Sequence, residues 1–276
     1  MRIRLIIFNI IHFFTLNNLV AFYGIAEKKG LRPNMEDAHS VNVGSKHVYF
    51  GLFDGHGGRY MADYAAKYLH KNIILDNKTQ SIRLAIEQGF QKTHDNADKQ
   101  LSENTGCTAL VALLVKDEKY DLRDLYIANV GDSRAVLSLK GAAIPLSFDH
   151  KPDMPDELER IKKLGGFVKT YGVPRVMGIL AMSRALGDKN LNPYVIPTPE
   201  IYKLKIDSDF EFIILACDGV WDVLSNQDAV DIVKESLKQN QNYAIAAGAL
   251  IDAALKKGST DNVSAIVISF QRHILK

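Results

Sequence analysis

Apolar residues along this chain gather in two rhythms. Short continuous runs, rich in aromatic and β-favouring residues and closed by turn residues, occur at 48–53 (VYFGLF), 107–116, 124–130, 134–139, 211–217 and 263–270. Runs of this length and composition predict buried strands. Residues 19–26 form a similar run leading into the charged turn Glu27-Lys28-Lys29-Gly30 and predict a first strand. Elsewhere the period is helical. Tyr60, Met61, Tyr64, Ala65, Tyr68 and Leu69 predict a helix over 59–75, and Ile82, Ile86, Phe90 and Ala97 predict a second over roughly 81–101.

Punctuation residues bound the remaining helices. Pro155 opens a short one that Gly165-Gly166 closes. Ser225-Asn226-Gln227-Asp228 is a capping-box pattern that starts a helix to about residue 239. A further helix over about 242–256 stops at Gly258, and residues 167–200, mixed in Gly, Pro and Arg, predict a mobile excursion. Strands follow one another without a helix after each, and helices come in pairs. That order predicts an antiparallel α+β domain, sheets in the middle and helices outside, and argues against a doubly wound parallel sheet.

Composition narrows the class. At 276 residues and 47% hydrophobic content the chain can bury a large core. A net charge of +2 gives no global field to recruit nucleic acid or an anionic membrane, so no nucleic-acid partner is expected. Cys107 and Cys217, each in an apolar run, read as free buried thiols of a cytoplasmic or nuclear protein. Residues 1–18 are an apolar extension outside a single domain spanning 19–276. Polar Asn9, His12, Asn17 and Asn18 interrupt the extension, which is short of a clean span of ~20 residues. A packed element and a membrane tether both stay open there, with a soluble monomer the expectation.

The chemistry lies at the ends of the strands. The run over 48–53 ends in Asp54-Gly55-His56-Gly57-Gly58, and that over 211–217 ends in Asp218-Gly219 with Asp222 four residues on. Asp261 precedes the last run, Asp132 lies between two others, and Glu36-Asp37 lies in LRPNMEDAHSV. One such Asp is a turn residue; acidic edges at five places in one chain suggest a cluster. Two like charges ~4 Å apart repel by roughly 4 kcal/mol at an effective dielectric near 20. Several together require protonation or divalent cations. With few histidines and no thiolate expected in the cluster, the donors are oxygen, which suits Mg2+ or Mn2+ and not zinc. Two such ions can hold a bridging hydroxide as nucleophile. Arg32 could grip an oxyanion and His56 could protonate a leaving oxygen, so phosphoester hydrolysis is the reaction this set serves. GxGxxG, GK[ST] and EF-hand patterns are absent from the sequence.

Eight ordered motifs carry a resemblance: RPNMED (32–37), FDGHGG (53–58), GCTALVALL (106–114), VGDSRAVL (130–137), DHKP (149–152), LAMSRALGD (180–188), ACDGVWDVLS (216–225) and STDNVS (259–264). Over roughly residues 20–270 the chain resembles the metal-dependent 2C-type (PPM) serine/threonine protein phosphatases, with GILAMSRALGD and VIPTPEI resembling the animal "1-like" branch. The resemblance implies a central antiparallel β-sandwich flanked by pairs of helices. It implies two ions held by Asp37, Asp54, the Gly55 carbonyl, Asp218 and Asp261, with Glu36 acting through coordinated water. Asp132 and Asp222 match positions of a weaker third metal, Arg32 the phosphate-binding arginine, and His56 the general acid. The stretch 166–176 matches the flap beside the substrate groove. Phosphorylated proteins are the implied substrates.

Plainer readings stand beside these. Arg32 could pair with Glu36 or Asp37, Asp132 could bond a turn amide, and Arg184 and Asp188 read as a structural ion pair. Trp221 reads as core. A non-catalytic phosphoprotein-binding scaffold and a hydrolase of small phosphoesters are the alternative functions.

Overall fold

The structure is a computed structural model that describes residues 19–44, 47–73, 81–116 and 123–272; the apolar extension, and with it the question of a tether, lies outside them. The chain begins with β1 (Leu19–Lys28), β2 (Ala38–Val43), β3 (His47–Phe53) and the two-residue β4 (Gly55–His56). Three helices follow, α1 (Tyr60–Asn72), α2 (Ile82–Asn96) and the short α3 (Lys99–Ser102). Next come β5 (Gly106–Cys107), β6 (Ala109–Lys116), β7 (Arg123–Val130), β8 (Arg134–Leu139) and β9 (Ala142–Pro145). Helix α4 (Pro155–Lys163) leads to the hairpin β10 (Val168–Tyr171) and β11 (Val173–Val176), then β12 (Leu186–Gly187), β13 (Glu200–Lys205) and β14 (Phe210–Ala216). Helices α5 (Asp218–Trp221), α6 (Asn226–Asn240) and α7 (Tyr243–Lys256) precede the last strand, β15 (Val263–Arg272).

Two five-stranded antiparallel sheets form the centre, in the orders β1-β15-β14-β8-β9 and β13-β7-β6-β3-β2. Their inner strands are continuous apolar runs because both faces are covered. Val48, Phe50 and Leu52 of β3 join Leu110, Leu114, Ile213, Leu215 and Ile266 between the sheets. The intervening Tyr49 and Phe53 face Met61, Leu69, Ile86 and Phe90 of α1 and α2. On the other side Phe212 and Ile214 meet Val230, Val233, Leu250 and Ile251 of α6 and α7. Each such side chain contributes about 2 kcal/mol by leaving water. The architecture is the expected α+β sandwich with helix pairs outside.

Two local expectations need adjustment. The helix predicted over 81–101 breaks at Ala97, which is extended (φ −61°, ψ 141°), because Asp98 caps a new helix by accepting from the Leu101 amide. Residues 167–200 are not a loose excursion: they carry the β10–β11 hairpin, and a small core of Ile161, Val176, Met182, Ala185, Leu191 and Val195 holds them against α4. The capping box at Ser225 and Asp228 forms as read from the sequence, and Pro155 sits in the first turn of α4.

Candidate metal centre

Antiparallel pairing brings the acidic edges to one end of the sandwich. Asp37 immediately precedes β2 and Asp54 immediately follows β3, whose paired ends are Ala38 and Phe53. Ala216 at the end of β14 pairs with Ala265 near the start of β15, which sets Asp218 beside the segment carrying Asp261. Ala216 also pairs with Arg134, two residues after Asp132. Asp222 follows one turn after Asp218, at the C-terminal cap of α5.

These carboxylates lie close enough to perturb one another. Burial raises Asp37 to about 6; the hydroxyl of Ser264, donating to its Oδ2 at 2.6 Å, opposes the rise, and the charge of Asp261 adds to it. Burial, then Asp37 and Asp218, push Asp54 well above the ordinary carboxylate range. Burial raises Asp218 to about 7, with Asp132, Asp222 and Asp261 adding repulsion. Burial also raises Asp222, against the opposing charge of Lys151. Asp37 Oδ1 and Asp132 Oδ1 are buried without a hydrogen-bond partner among the described residues. Unpartnered buried oxygens and mutually repelling carboxyls are a donor set that a divalent cation fits.

The donor atoms of Asp37, Asp54 and Cys217 lie within 4.8 Å of one another. A sulfur therefore lies beside the carboxylates, where the expectation concerned a thiolate. Burial and then the charges of Asp37 and Asp54 push the Cys217 pKa far up, so the group stays a thiol. It sits 3.5 Å from the Asn262 carbonyl as donor and accepts from the Ser264 amide at 3.2 Å. The available donors are therefore oxygen, and hard divalent ions fit them.

Asn262 clamps the loop that presents Glu36 and Asp37. Its Nδ2 donates to the Lys29 and Asn34 carbonyls at 2.8 and 2.9 Å, and its Oδ1 accepts from the Glu36 amide at 2.7 Å. The Glu36 carboxylate accepts from the Gly58 amide at 3.2 Å. Gly55 is required for contact: a Cβ there would lie 2.5 Å from the Glu36 carbonyl oxygen. Arg32 pairs with neither Glu36 nor Asp37; its Nη2 donates to Asp261 Oδ2 at 2.6 Å from an exposed position.

Three residues of the site escaped the reading of the sequence. Asp188 does not pair with Arg184: its Oδ2 lies 2.7 Å from His56 Nε2, while Arg184 forks onto Glu157 with Nε at 3.0 Å and Nη2 at 2.5 Å. Burial alone would lower the His56 pKa; the hydrogen bond and then the charge of Asp188 outweigh it and hold the pKa above the ordinary value. Asp132 does not bond a turn amide; its Oδ2 accepts from Lys151 Nζ at 2.5 Å. Ser264 and Lys151 stood inside the STDNVS and DHKP motifs, so the signal for them was present in the sequence without a role attached. Trp221 is core, as read, with its Nε1 donating to the Ala216 carbonyl at 2.8 Å.

An acidic, oxygen-lined centre at one end of an α+β sandwich has the donor set that suits a hard divalent ion. A family model described as Protein phosphatase 2C matches residues 22–263. "Probable protein phosphatase 2C 69" of Arabidopsis thaliana is 44% identical over 258 residues, covering 90% of this chain and 70% of that protein. "Probable protein phosphatase 2C 11" of the same plant is 43% identical over 257 residues, covering 90% and 66%. Among solved structures, "Crystal structure of a phosphatase from a pathogenic strain Toxoplasma gondii" superposes with a TM-score of 0.81 at 25% identity, covering 91% of this chain and 93% of that one. The chain belongs to the protein phosphatase 2C family, and its activity is that of a metal-dependent serine/threonine protein phosphatase. The animal "1-like" branch finds no support, since these curated relatives are plant proteins.

Proposed function

We propose that the substrates are phosphoserine and phosphothreonine side chains of proteins and that water attacks phosphorus directly, displacing the serine or threonine oxygen without a phosphoenzyme. In this reading Asp37, Asp54, the Gly55 carbonyl, Asp218 and Asp261 hold two Mg2+ or Mn2+ ions, Glu36 acts through water, and Asp132 and Asp222 serve a weaker third ion. The observation that carries it is the convergence of Asp37, Asp54 and Asp218 at one end of the sandwich, where burial raises all three, Asp37 and Asp218 add repulsion on Asp54, and Asp261 adds it on both Asp37 and Asp218. When bound, the ions supply the Lewis acidity that neutralises phosphate charge and makes water nucleophilic near neutral pH.

The chain's own groups do the rest. Arg32 gives one nitrogen to Asp261 and keeps the remainder of its fork for phosphate oxygens. His56, oriented by Asp188 through Nε2, supplies the proton that the departing serine or threonine oxygen needs. Ser264 and Asn262 fix Asp37 and its loop against the start of β15. Free buried Cys107 and Cys217 support a reducing cytoplasmic or nuclear setting.

The test is phosphate release from a phosphothreonine peptide with and without Mn2+, beside Asp54→Ala. Release that needs the metal and vanishes in the variant is expected. A folded, metal-loaded protein that cleaves small phosphoesters but no phosphopeptide would overturn the protein-substrate reading.

A further inference from the structure

The acidic cluster has two halves, and a lysine ammonium bonds directly to only one of them. Asp37, Asp54 and Asp218 make no ion pair among the described residues, and Asp261 is paired with exposed Arg32. In the outer half, Lys151 Nζ lies 2.5 Å from Asp132 Oδ2, a carboxylate only 3% exposed. Asp132 Oδ1 is buried and unpartnered, so half of that carboxylate is free to take a second cation. The same ammonium also offsets charge on Asp218 and Asp222. Asp149, the other acid of this motif, is already neutralised by Arg134 through bonds of 2.9 and 2.7 Å.

The backbone holds Lys151 in place. The His150 amide donates to the Gly131 carbonyl at 3.0 Å, the Ser183 amide donates to the His150 carbonyl at 2.9 Å, and the Met154 amide donates to the Lys151 carbonyl at 3.1 Å. The lysine therefore leaves a segment pinned to the turn that carries Asp132 and reaches back to that residue.

We propose that Lys151 is a built-in counter-cation of the Asp132–Asp222 site, competing with the third divalent ion and keeping its affinity low. This rests on the reading of Asp132 and Asp222 as ligands of that ion. A lysine ammonium is a single mobile charge on a flexible stem. It can hold Asp132 when the third ion is absent and yield when metal is abundant, whereas Asp37, Asp54 and Asp218 have no directly paired cation among the described residues and keep their ions. Third-ion occupancy would then follow a local exchange of one positive charge for two.

The experiment is calorimetric titration of Mn2+ into metal-stripped protein, with thermal melting of each metal-free form as a second readout. In K151M the third ion should bind roughly tenfold tighter or more, with the inner two unchanged. Metal-free K151M should melt below the wild type, since Asp132 loses its counter-charge, and Mn2+ should restore it. K151R, which keeps the charge, should retain the weak third ion. No tightening in K151M, or the same tightening in K151R, would overturn the proposal. In K151M/D222N the gain should disappear; a gain that persists there would keep the competition and overturn Asp222 as a ligand.

Discussion

The pairing of His56 with Asp188 depends on the absence of one carbon atom. A Cβ on Gly106 would lie 1.9 Å from Asp188 Oδ2 and 2.4 Å from His56 Nε2, so only glycine fits beneath the bond. The small sheet β12-β5-β4 sets the register, with Gly187 opposite Gly106 and Gly106 opposite His56. If His56 donates the proton to the leaving oxygen, removing the carboxylate that aims it should matter most for poor leaving groups. Asp188→Asn is expected to lower kcat by roughly tenfold to a hundredfold on a phosphothreonine peptide, and far less on an aryl phosphate with an acidic phenol. Steady-state kinetics on both substrates checks this, and equal losses would remove His56 from the proton-transfer role. The sequence could not show this pair, because its partners lie 132 positions apart. Arg184, four residues before Asp188, read as its partner from the sequence alone. The segment is extended through β12, where residues four apart do not meet.

At the scale of elements, α4 and the segment after the β10–β11 hairpin are tied through one buried acid. Glu157 is 4% exposed and accepts from both Arg184 and Arg160, while Arg160 also donates to the Ser183 and Tyr194 carbonyls at 2.9 and 2.8 Å. Burial would raise the Glu157 pKa, but the Arg184 hydrogen bond leads a set of contacts that holds it at about 2. Its folded pKa lies below its unfolded one, so the stabilisation is full above about pH 4.5 and is lost as pH falls towards 2. Glu157→Gln should cost about 3 kcal/mol at pH 7, because two guanidinium groups lose their counter-charge. Urea denaturation at pH 7 and pH 3 measures it, and the gap between variant and wild type should shrink in acid. A gap unchanged between the two pH values would mean that shape, not charge, carries the contact. Element ends with local chemistry were legible: Ser225 and Asp228, Pro155, Gly258. The break at Ala97 was not, since its apolar spacing continued the helix and only the Asp98 cap interrupts it. The order of 167–200 comes from contacts with Ile161 on α4, which no local pattern announces.

For the whole molecule, acidic strand ends were legible because antiparallel strands return their ends to one edge, so recurrence along the chain becomes proximity in space. What the sequence withheld was the set of neighbours that decides their charge: Ser264 under Asp37, Lys151 on Asp132, and the Cys217 thiol between two aspartates. That charge state yields a prediction about linkage. Asp37 at about 6, Asp218 at about 7 and Asp54 well above the ordinary value all exceed the unfolded carboxylate range. Without metal, the folded chain then holds more protons than the unfolded chain between about pH 4 and 7, so these groups cost stability as pH rises through that range. His150, lowered to about 4 by burial and then by Arg184, has the opposite sign, its contribution being lost as pH falls from about 6.5 to 4. A simple pH–stability curve therefore mixes the two. The shift produced by metal separates them, because His150 contributes to both forms while a divalent ion holds only the aspartates ionised. Mn2+ should raise the melting temperature more at pH 7.5 than at pH 5.5. Titration near pH 6, in buffers of different ionisation enthalpy, should show on the order of one proton or more released, falling as pH rises past the range of Asp37 and Asp218. Asp218→Asn should remove most of the Mn2+ effect while raising the metal-free melting temperature at pH 7.5 by a few degrees, since about 1 kcal/mol of repulsion is relieved. Proton release that stays flat across this range would mean the carboxylates are already ionised without metal, and the electrostatic basis assigned to the centre would fail.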